Sequence, residues 1–427
     1  MKILKTLSLY TFVGFLGAGI NFFIMPILSH HLNPAEYGIL SLINSYVTIL
    51  IPLMGLVASA LINNEYYKME NKAEFASLVS SIQVIPILPF LFFLLVFLGL
   101  YKPIVQLSEL TDVSRGWLLS VPVLAFLTIY TETFFTYLII INKPAAYSYN
   151  NLAKILGEVS LTLLFVVGMK MGWKGRILSW LIIQIAFLIY SFIYFYRQRL
   201  LTLNIKKAYI MQGIAFGAPL ILHTIGKFVV NQSDRIFIAR YISLEETGIY
   251  NIGYQVGLIL MIVINAFSNF FTPYLYERLH LITEQKKIEV MRMGYFGFFA
   301  MVIALVAITI ATPYFFAYFV DKRYAEGTIY VFWTGLSYLF WGVYLIFSGF
   351  IYYTKKTHIL AWLSLINVVL NVVLNFALIT RFGALGASYA TCISFLVTAI
   401  WVIYFANKYY PLPWLNVKRI FSRNIAA

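Results

Sequence analysis

A polytopic all-α membrane protein, with about 12 transmembrane helices in two parallel six-helix lobes around a central cleft, is the fold class this sequence predicts. Three observations predict it. Of 427 residues, 61% are hydrophobic and only 11% charged. Apolar runs of about twenty residues, each able to cross a hydrocarbon core of ~30 Å, recur along the whole length. Two short signatures return about 210 residues later, which divides the runs into two sets of six.

The predicted spans are roughly 7–32, 37–62, 77–100, 117–142, 147–170, 175–197, 210–242, 248–272, 293–320, 328–354, 358–380 and 384–408. The run from Leu7 continues to about Leu32 with no small-residue cleavage site, so it reads as a retained first span and not a signal peptide. Connections are short. The longest are the inner stretch Pro273–Arg292 and the outer loop Tyr101–Gly116, and neither has room for an enzyme active site or a nucleotide fold. The single cysteine, Cys392, excludes an intramolecular disulfide, and no Cys/His cluster suggests a metal. No cofactor is expected.

A net charge of +15 raises the question of nucleic acid, and its distribution answers it. With the N-terminus in the cytoplasm, the inner side collects nineteen Lys and Arg against six Asp and Glu, the outer side ten against eight. That is the positive-inside pattern, so nucleic acid is unnecessary. One outer loop, Gly168–Arg176 with three basic residues, runs against it. Both termini are expected in the cytoplasm.

Internal repetition sets the lobes. Between spans 1 and 2, His31-Leu-Asn-Pro-Ala-Glu-Tyr-Gly-Ile39 aligns with Tyr241-Ile-Ser-Leu-Glu-Glu-Thr-Gly-Ile249 between spans 7 and 8, matching Asn33/Ser243, Glu36/Glu246 and Gly38/Gly248. Asn33 and Ser243 suit a helix N-cap, and the acid three residues on completes capping-box spacing. Gly172-Trp-Lys-Gly175 likewise matches Gly383-Ala-Leu-Gly386. An even number of spans per half makes the repeats parallel, related by an axis along the membrane normal. The lobes are therefore 1–197 and 210–409, joined by a cytoplasmic linker 198–209 and followed by a basic tail 410–427.

The densest polar information lies in the seventh span. His223, Lys227, Asn231 and Asp234 recur four, four and three residues apart, on one helical face, and Arg235 follows at once. A cation at bilayer depth costs ~2.5–3.5 kcal/mol even on the lenient insertion scale, so the stripe should face other helices or a water-filled cavity. Holding the bundle together is the plainer use; binding an anion is the functional one. At an offset of 210, Lys227 falls opposite Gly17 and Asp234-Arg235 opposite Ile24-Met25, so the charge belongs to the second lobe alone.

Other polar groups inside spans are fewer. Lys154 and Glu158 in span 5 sit one turn apart and can neutralise each other, as a structural or a functional ion pair. Glu132 in span 4 has no partner in its own helix and is either a proton carrier or a satisfied interhelical contact. Glycines 14, 17 and 19 with Asn21 and Pro26, and Asn44, Thr48 and Pro52, suggest close packing or a bending gate. Asn367, Asn371 and Asn375 form a ladder suited to interhelical hydrogen bonds, with substrate contact as the other use. His30 and His31 fall at an outer interface and His280 and His358 in inner loops, and all four read as solvated. The stretch Tyr409-Tyr-Pro-Leu-Pro-Trp414, followed by Lys418, Arg419 and Arg423, reads as an inner-leaflet anchor.

Three stretches resemble polysaccharide repeat-unit flippases of the multidrug/oligosaccharidyl-lipid/polysaccharide exporter superfamily. They are Asn21-Phe-Phe-Ile-Met-Pro-Ile-Leu28 running into Leu32-Asn-Pro-Ala-Glu-Tyr-Gly38, Asp234-Arg-Ile-Phe-Ile-Ala-Arg240 running into Thr247-Gly-Ile-Tyr250, and Arg381-Phe-Gly-Ala-Leu-Gly-Ala387. The resemblance implies a flippase in the bacterial inner membrane that carries undecaprenyl-pyrophosphate-linked oligosaccharides, such as O-antigen units of lipopolysaccharide, to the outer leaflet. It also implies work beside a polysaccharide polymerase and chain-length machinery. By this analogy Lys227, Arg235, Lys154, His223 and Asn231 attract the anionic headgroup, while Glu132, Glu158 and Asp234 serve ion coupling or gating. No nucleotide-binding loop is present, so an ion gradient is the expected power source. The alternative is a proton- or sodium-coupled exporter of cationic drugs from the same superfamily, using those three acids as carriers. A polymerase or acyltransferase is disfavoured, since such an enzyme would be expected to hold its catalytic groups in a large outer loop or a His-containing pocket.

Overall fold

The computed structural model describes residues 19–20, 22–280 and 283–414. Those residues form helices and no strand. After α1 (22–31) come α2 (Pro34–Gly55), α3 (Ala60–Glu65), α4 (Lys72–Val84), α5 (Ile87–Gly99), α6 (Tyr101–Ser108), α7 (Arg115–Leu118), α8 (Ser120–Ile140), α9 (Pro144–Thr162), α10 (Trp173–Arg197) and α11 (Lys207–Tyr241). The series closes with α12 (Leu244–Gly257), α13 (Leu260–His280), α14 (Glu284–Phe319), α15 (Thr328–Tyr353), α16 (Thr357–Phe382) and α17 (Leu385–Tyr409). Eleven helical stretches among the described residues are long and apolar enough to cross a membrane. Half of the first expected span, with Gly14, Gly17 and Asn21, lies outside the described residues.

The duplicated turns form as their sequences require. Asn33 Oδ1 accepts from Glu36 N at 2.9 Å and Glu36 Oε2 accepts from Asn33 N at 3.0 Å, a complete capping box with Pro34 at the first helical position. In the second copy Ser243 Oγ accepts from Glu246 N at 3.0 Å. Gly172 and Gly383 adopt φ of +60° and +63° with ψ near −150°, a region essentially reserved for glycine. Both copies thus turn the chain into α10 and α17 by the same device.

Two expected loops are largely helical. Charged residues carry α13 past the apolar run to His280, and Thr283, whose hydroxyl accepts from Lys286 N at 3.2 Å, starts α14 at Glu284. The stretch Pro273–Arg292 is therefore mostly two helix ends. The outer stretch Tyr101–Gly116 contains α6, whose Tyr101 hydroxyl donates to Val113 O at 2.9 Å.

Packing divides the chain after Gly248, one compact unit ending there and the other starting at Ile249. The repeat places its seam at 198–209 instead. The difference comes from α11, which packs on α2, α3 and α4. The linker is also fastened to α4: Ser80 Oγ accepts from Thr202 N at 2.9 Å, Ser81 Oγ accepts from Lys206 N at 3.0 Å, and Ser77 donates to Asn204 O. Elsewhere in this unit Leu42, Ile43 and Val47 of α2 interlock with Val121, Leu124 and Ala125 of α8. Lipid chains are as apolar as leucine, so such contacts act through close packing more than through exclusion of water. Polar links add to them. Thr131 Oγ1 donates to Gln184 Oε1 at 2.7 Å, and Gln184 Nε2 donates to Thr128 Oγ1 at 3.1 Å.

Candidate functional site

All eight residues singled out in the sequence fall in the unit that ends at Gly248. Helix α11 carries five of them. It approaches α2 closely where that helix ends in Leu56 and Val57, both left-handed with φ of +48° and +51°. A Cβ on Gly217 would overlap the Leu56 carbonyl, and one on Gly213 would lie 2.5 Å from Ile82 Cδ1. Glycine lets the backbones meet at Gly217 and lets isoleucine side chains seat against the helix at Gly213. Pro219 leaves the carbonyl one turn earlier without its helical donor, a local softening of the same helix.

Beyond this contact the predicted stripe changes character along its length. His223 and Lys227 are exposed, Asn231 is half-buried, and Asp234 and Arg235 are 2% and 4% exposed. Arg235 Nη1 donates to Asp234 Oδ1 and to Asn231 O, both at 2.8 Å, and Arg235 N donates to the same carboxylate oxygen at 2.9 Å. Arg235, expected to attract a headgroup, is covered by protein in this conformation. Lys227 and His223 remain accessible one turn apart. Lys227 has no carboxylate partner within ion-pair distance among the described residues.

The second group spans α8, α9 and α10. Glu158 does not pair with Lys154. Its Oε1 takes Arg176 Nη2 at 2.7 Å, while Arg176 Nη1 donates to Thr162 Oγ1 at 2.9 Å. The guanidinium fork at the start of α10 reaches both groups at once, which an ammonium on Glu158's own helix would not. Arg176 belongs to the outer loop whose three basic residues run against the positive-inside pattern, so part of that anomaly is neutralised by a span carboxylate. Lys154 is half-buried, and its charge reaches Glu132 on α8, which is exposed.

Sequence spacing gave no sign of two further contacts. Ser45 Oγ donates to Gln232 Oε1 at 3.2 Å, tying α2 to α11. Arg240 donates to the Glu109 carboxylate and, at 3.3 Å, to Gln106 O. The resemblance stretch that ends at Arg240 and the repeat alignment of the turn after it are the signals that pointed nearby.

In the other unit the asparagine ladder joins α16 to α17. Asn375 Nδ2 donates to Asn371 Oδ1 at 3.0 Å and Asn371 Nδ2 to Ser394 Oγ at 3.4 Å. Asn367 Oδ1, Asn375 Oδ1, Ser388 Oγ and Thr391 Oγ1 are buried there without a donor. Such neutral oxygens suit ordered water or a hard cation and not a soft one. Among the described residues no group of three His, Cys, Asp or Glu could hold a metal. His30, His31, His280 and His358 are exposed. The expected anchor after Tyr409 instead folds onto protein, with Leu412 buried, the Trp414 ring 4.8 Å from that of Phe347, and Tyr295 Oη donating to Trp414 O at 2.5 Å. Lys418, Arg419 and Arg423 lie outside the described residues.

Comparison with known proteins adds three findings. Residues 3–277 match the family described as polysaccharide biosynthesis protein. A Lsg-locus protein of Haemophilus influenzae is 29% identical over 163 residues, 37% of this chain and 39% of its own. An uncharacterized membrane protein of the same organism is 26% identical over 232 residues, 52% and 56% of the two chains. The chain thus spans about half the length, or less, of these curated relatives. Among solved structures, the lipid II flippase MurJ in an inward closed conformation superposes with a TM-score of 0.74 at 13% identity, covering 93% of this chain and 87% of that one. The MATE multidrug transporter DinF-BH gives 0.63 at 14% identity, covering 95% of each chain. At such identities the likeness to these two is one of fold.

Proposed function

The chain belongs to the family of polysaccharide biosynthesis proteins, and from that membership we propose that it turns undecaprenyl-pyrophosphate-linked oligosaccharide repeat units from the cytoplasmic to the outer leaflet by alternating access. The observation that carries this reading is the exposed pair His223 and Lys227 in the middle of α11, the lysine without a carboxylate partner among the described residues. A pyrophosphate leaving water loses hydration worth far more than a few kcal/mol, and a lysine at bilayer depth is itself uncomfortable. Each relieves the other. The polyprenyl tail stays in lipid throughout.

On this reading Lys227 and His223 meet the headgroup first, Asn231 extends the polar path, and the buried Asp234–Arg235 pair regulates access instead of binding directly. Lys154 beside Glu132 supplies a second charged position in the same unit, and Glu132 is the group best placed to carry a coupling proton. We place the protein in the bacterial inner membrane with both termini cytoplasmic, handing its product to a polymerase and chain-length machinery, and assign it transport without covalent chemistry.

Reconstituted vesicles given labelled lipid-linked repeat units test this directly. Protein-dependent movement between leaflets, accelerated by an imposed ion gradient, is the expected result; movement equal to protein-free vesicles would end the proposal. One observation favours a second reading, export of cationic drugs: Glu132 is an exposed carboxylate inside a span. Protection of a sensitised strain against cationic drugs would favour that reading.

A further inference from the structure

The two capped turns of the repeat touch each other. A Cβ on Gly38 would overlap the carbonyl oxygen of Leu244, and a Cβ on Gly248 would overlap that of Pro34. Leu244 stands to Pro34 as Gly248 stands to Gly38, 210 residues on, so the contact is reciprocal and its two halves are equivalent. Gly248 also lies flush against the Gly38 amide, 3.0 Å from where its Cβ would be. In place of each Cβ a Cα hydrogen points at the facing carbonyl, the geometry of a weak Cα–H···O contact. Both glycines and Thr247 are buried.

The two sides of this contact are held differently. The first turn is bolted in place. Glu36 accepts from Asn33 N at 3.0 Å and from Trp173 N at 3.4 Å, and the start of α10 bends around that carboxylate at Gly172. The second turn follows α11, whose end is tied down by Arg240 to Glu109 and to Gln106 O. That tie is an exposed ion pair, with the Arg240 side chain 50% accessible, so it is easily broken and remade.

We propose that the Gly38–Gly248 contact, secured by Arg240 and Glu109, is the closed form of a gate at the outer mouth, and that transport requires these two helix starts to part. The inference rests on the transport reading and orientation given above. Two bare backbones in contact suit a gate, because they close tightly and part without disentangling side chains. Alanine at either glycine wedges the gate open, and loss of the ion pair loosens it.

Thiol labelling of purified protein in detergent tests the gate without reference to any substrate, so its failure is separate from failure of the flipping assay. In a Cys392→Ala background, Thr247→Cys is buried while the gate is closed. Gly38→Ala and Gly248→Ala are expected to raise its rate of maleimide labelling about ten-fold or more. Arg240→Gln and Glu109→Gln are expected to raise it about three-fold. Gly99→Ala, at a glycine with open space around it, is the control expected to change nothing. Parental rates in both alanine variants, or an equal rise in the control, overturn the proposal. Should the alanine variants not fold, the two glutamine variants decide it, and unchanged labelling in both overturns it.

Discussion

Arg176 reaches back from the start of α10 to hold Glu158 at 2.7 Å, and in doing so takes the partner that spacing offered to Lys154. The two cations therefore have different work. Arg176 fastens α10 to α9, while Lys154 is left facing the charge of Glu132.

Arg176→Ala should accordingly act on stability. Removing the guanidinium strands a part-buried carboxylate and the Thr162 hydroxyl, a loss of about 1–3 kcal/mol visible as a lower unfolding temperature in detergent. Lys154→Ala should leave that temperature nearly unchanged and lower the rate of lipid flipping. The reverse pattern would exchange their roles.

Lys227→Ala should reduce flipping at least about ten-fold, the factor that ~1.4 kcal/mol of lost headgroup attraction produces, with protein level and unfolding temperature maintained. Lys227→Arg should keep most activity because the charge remains. Equal flipping by all three proteins would remove Lys227 from the mechanism.

Arg235→Ala should behave otherwise, since it removes the guanidinium that the buried Asp234 holds at 2.8 Å. Breaking a buried pair from one side costs about 3–5 kcal/mol. Asp234→Asn combined with Arg235→Gln should recover much of that loss, because neither charge is then stranded. A double variant as unstable as the single one would show that the pair is not the source of the effect.

Val57 sits at φ +51°, a region that a β-branched residue enters at a cost of about 1–2 kcal/mol. Val57→Gly should raise the unfolding temperature, whereas Gly217→Ala, which drives a methyl into the Leu56 carbonyl, should lower it. Thermal unfolding followed by size-exclusion chromatography reads both.

The serine clasp on the linker predicts protection from protease. Each hydrogen bond contributes about 1 kcal/mol, so replacing Ser77, Ser80 and Ser81 together by alanine should speed tryptic cleavage after Arg199 and Lys206 by roughly ten-fold or more. Cleavage no faster than in the parent would mean the linker is held by something else.

Helix number, the repeat and its capped turns were legible because hydropathy and capping are properties of neighbouring residues. Partner choice was not. Spacing put Glu158 one turn from Lys154, but which guanidinium crosses from another helix depends on helix rotation, which no local pattern records. Likewise His223, Lys227, Asn231 and Asp234 share one face by spacing, yet that face runs from exposed to buried along α11, because α11 meets other helices at some levels and not at others. Hydropathy also marks where the bilayer ends and not where a helix ends, which is why Pro273–Arg292 read as a loop. The pairing of Arg240 was not legible because its partner Glu109 lies 131 residues away.

Helix α11 is the first helix of the second repeat by sequence, and by contact it belongs with the first six. The seam left by duplication and the boundary between the two compact units are therefore one helix apart. A protein cut at 203–204 and expressed as two pieces would have to exchange α11 across the cut to fold, like a tenon returned to its mortise. The fragment beginning at Asn204 would meanwhile carry an orphan helix whose Gly213 and Gly217 faced nothing.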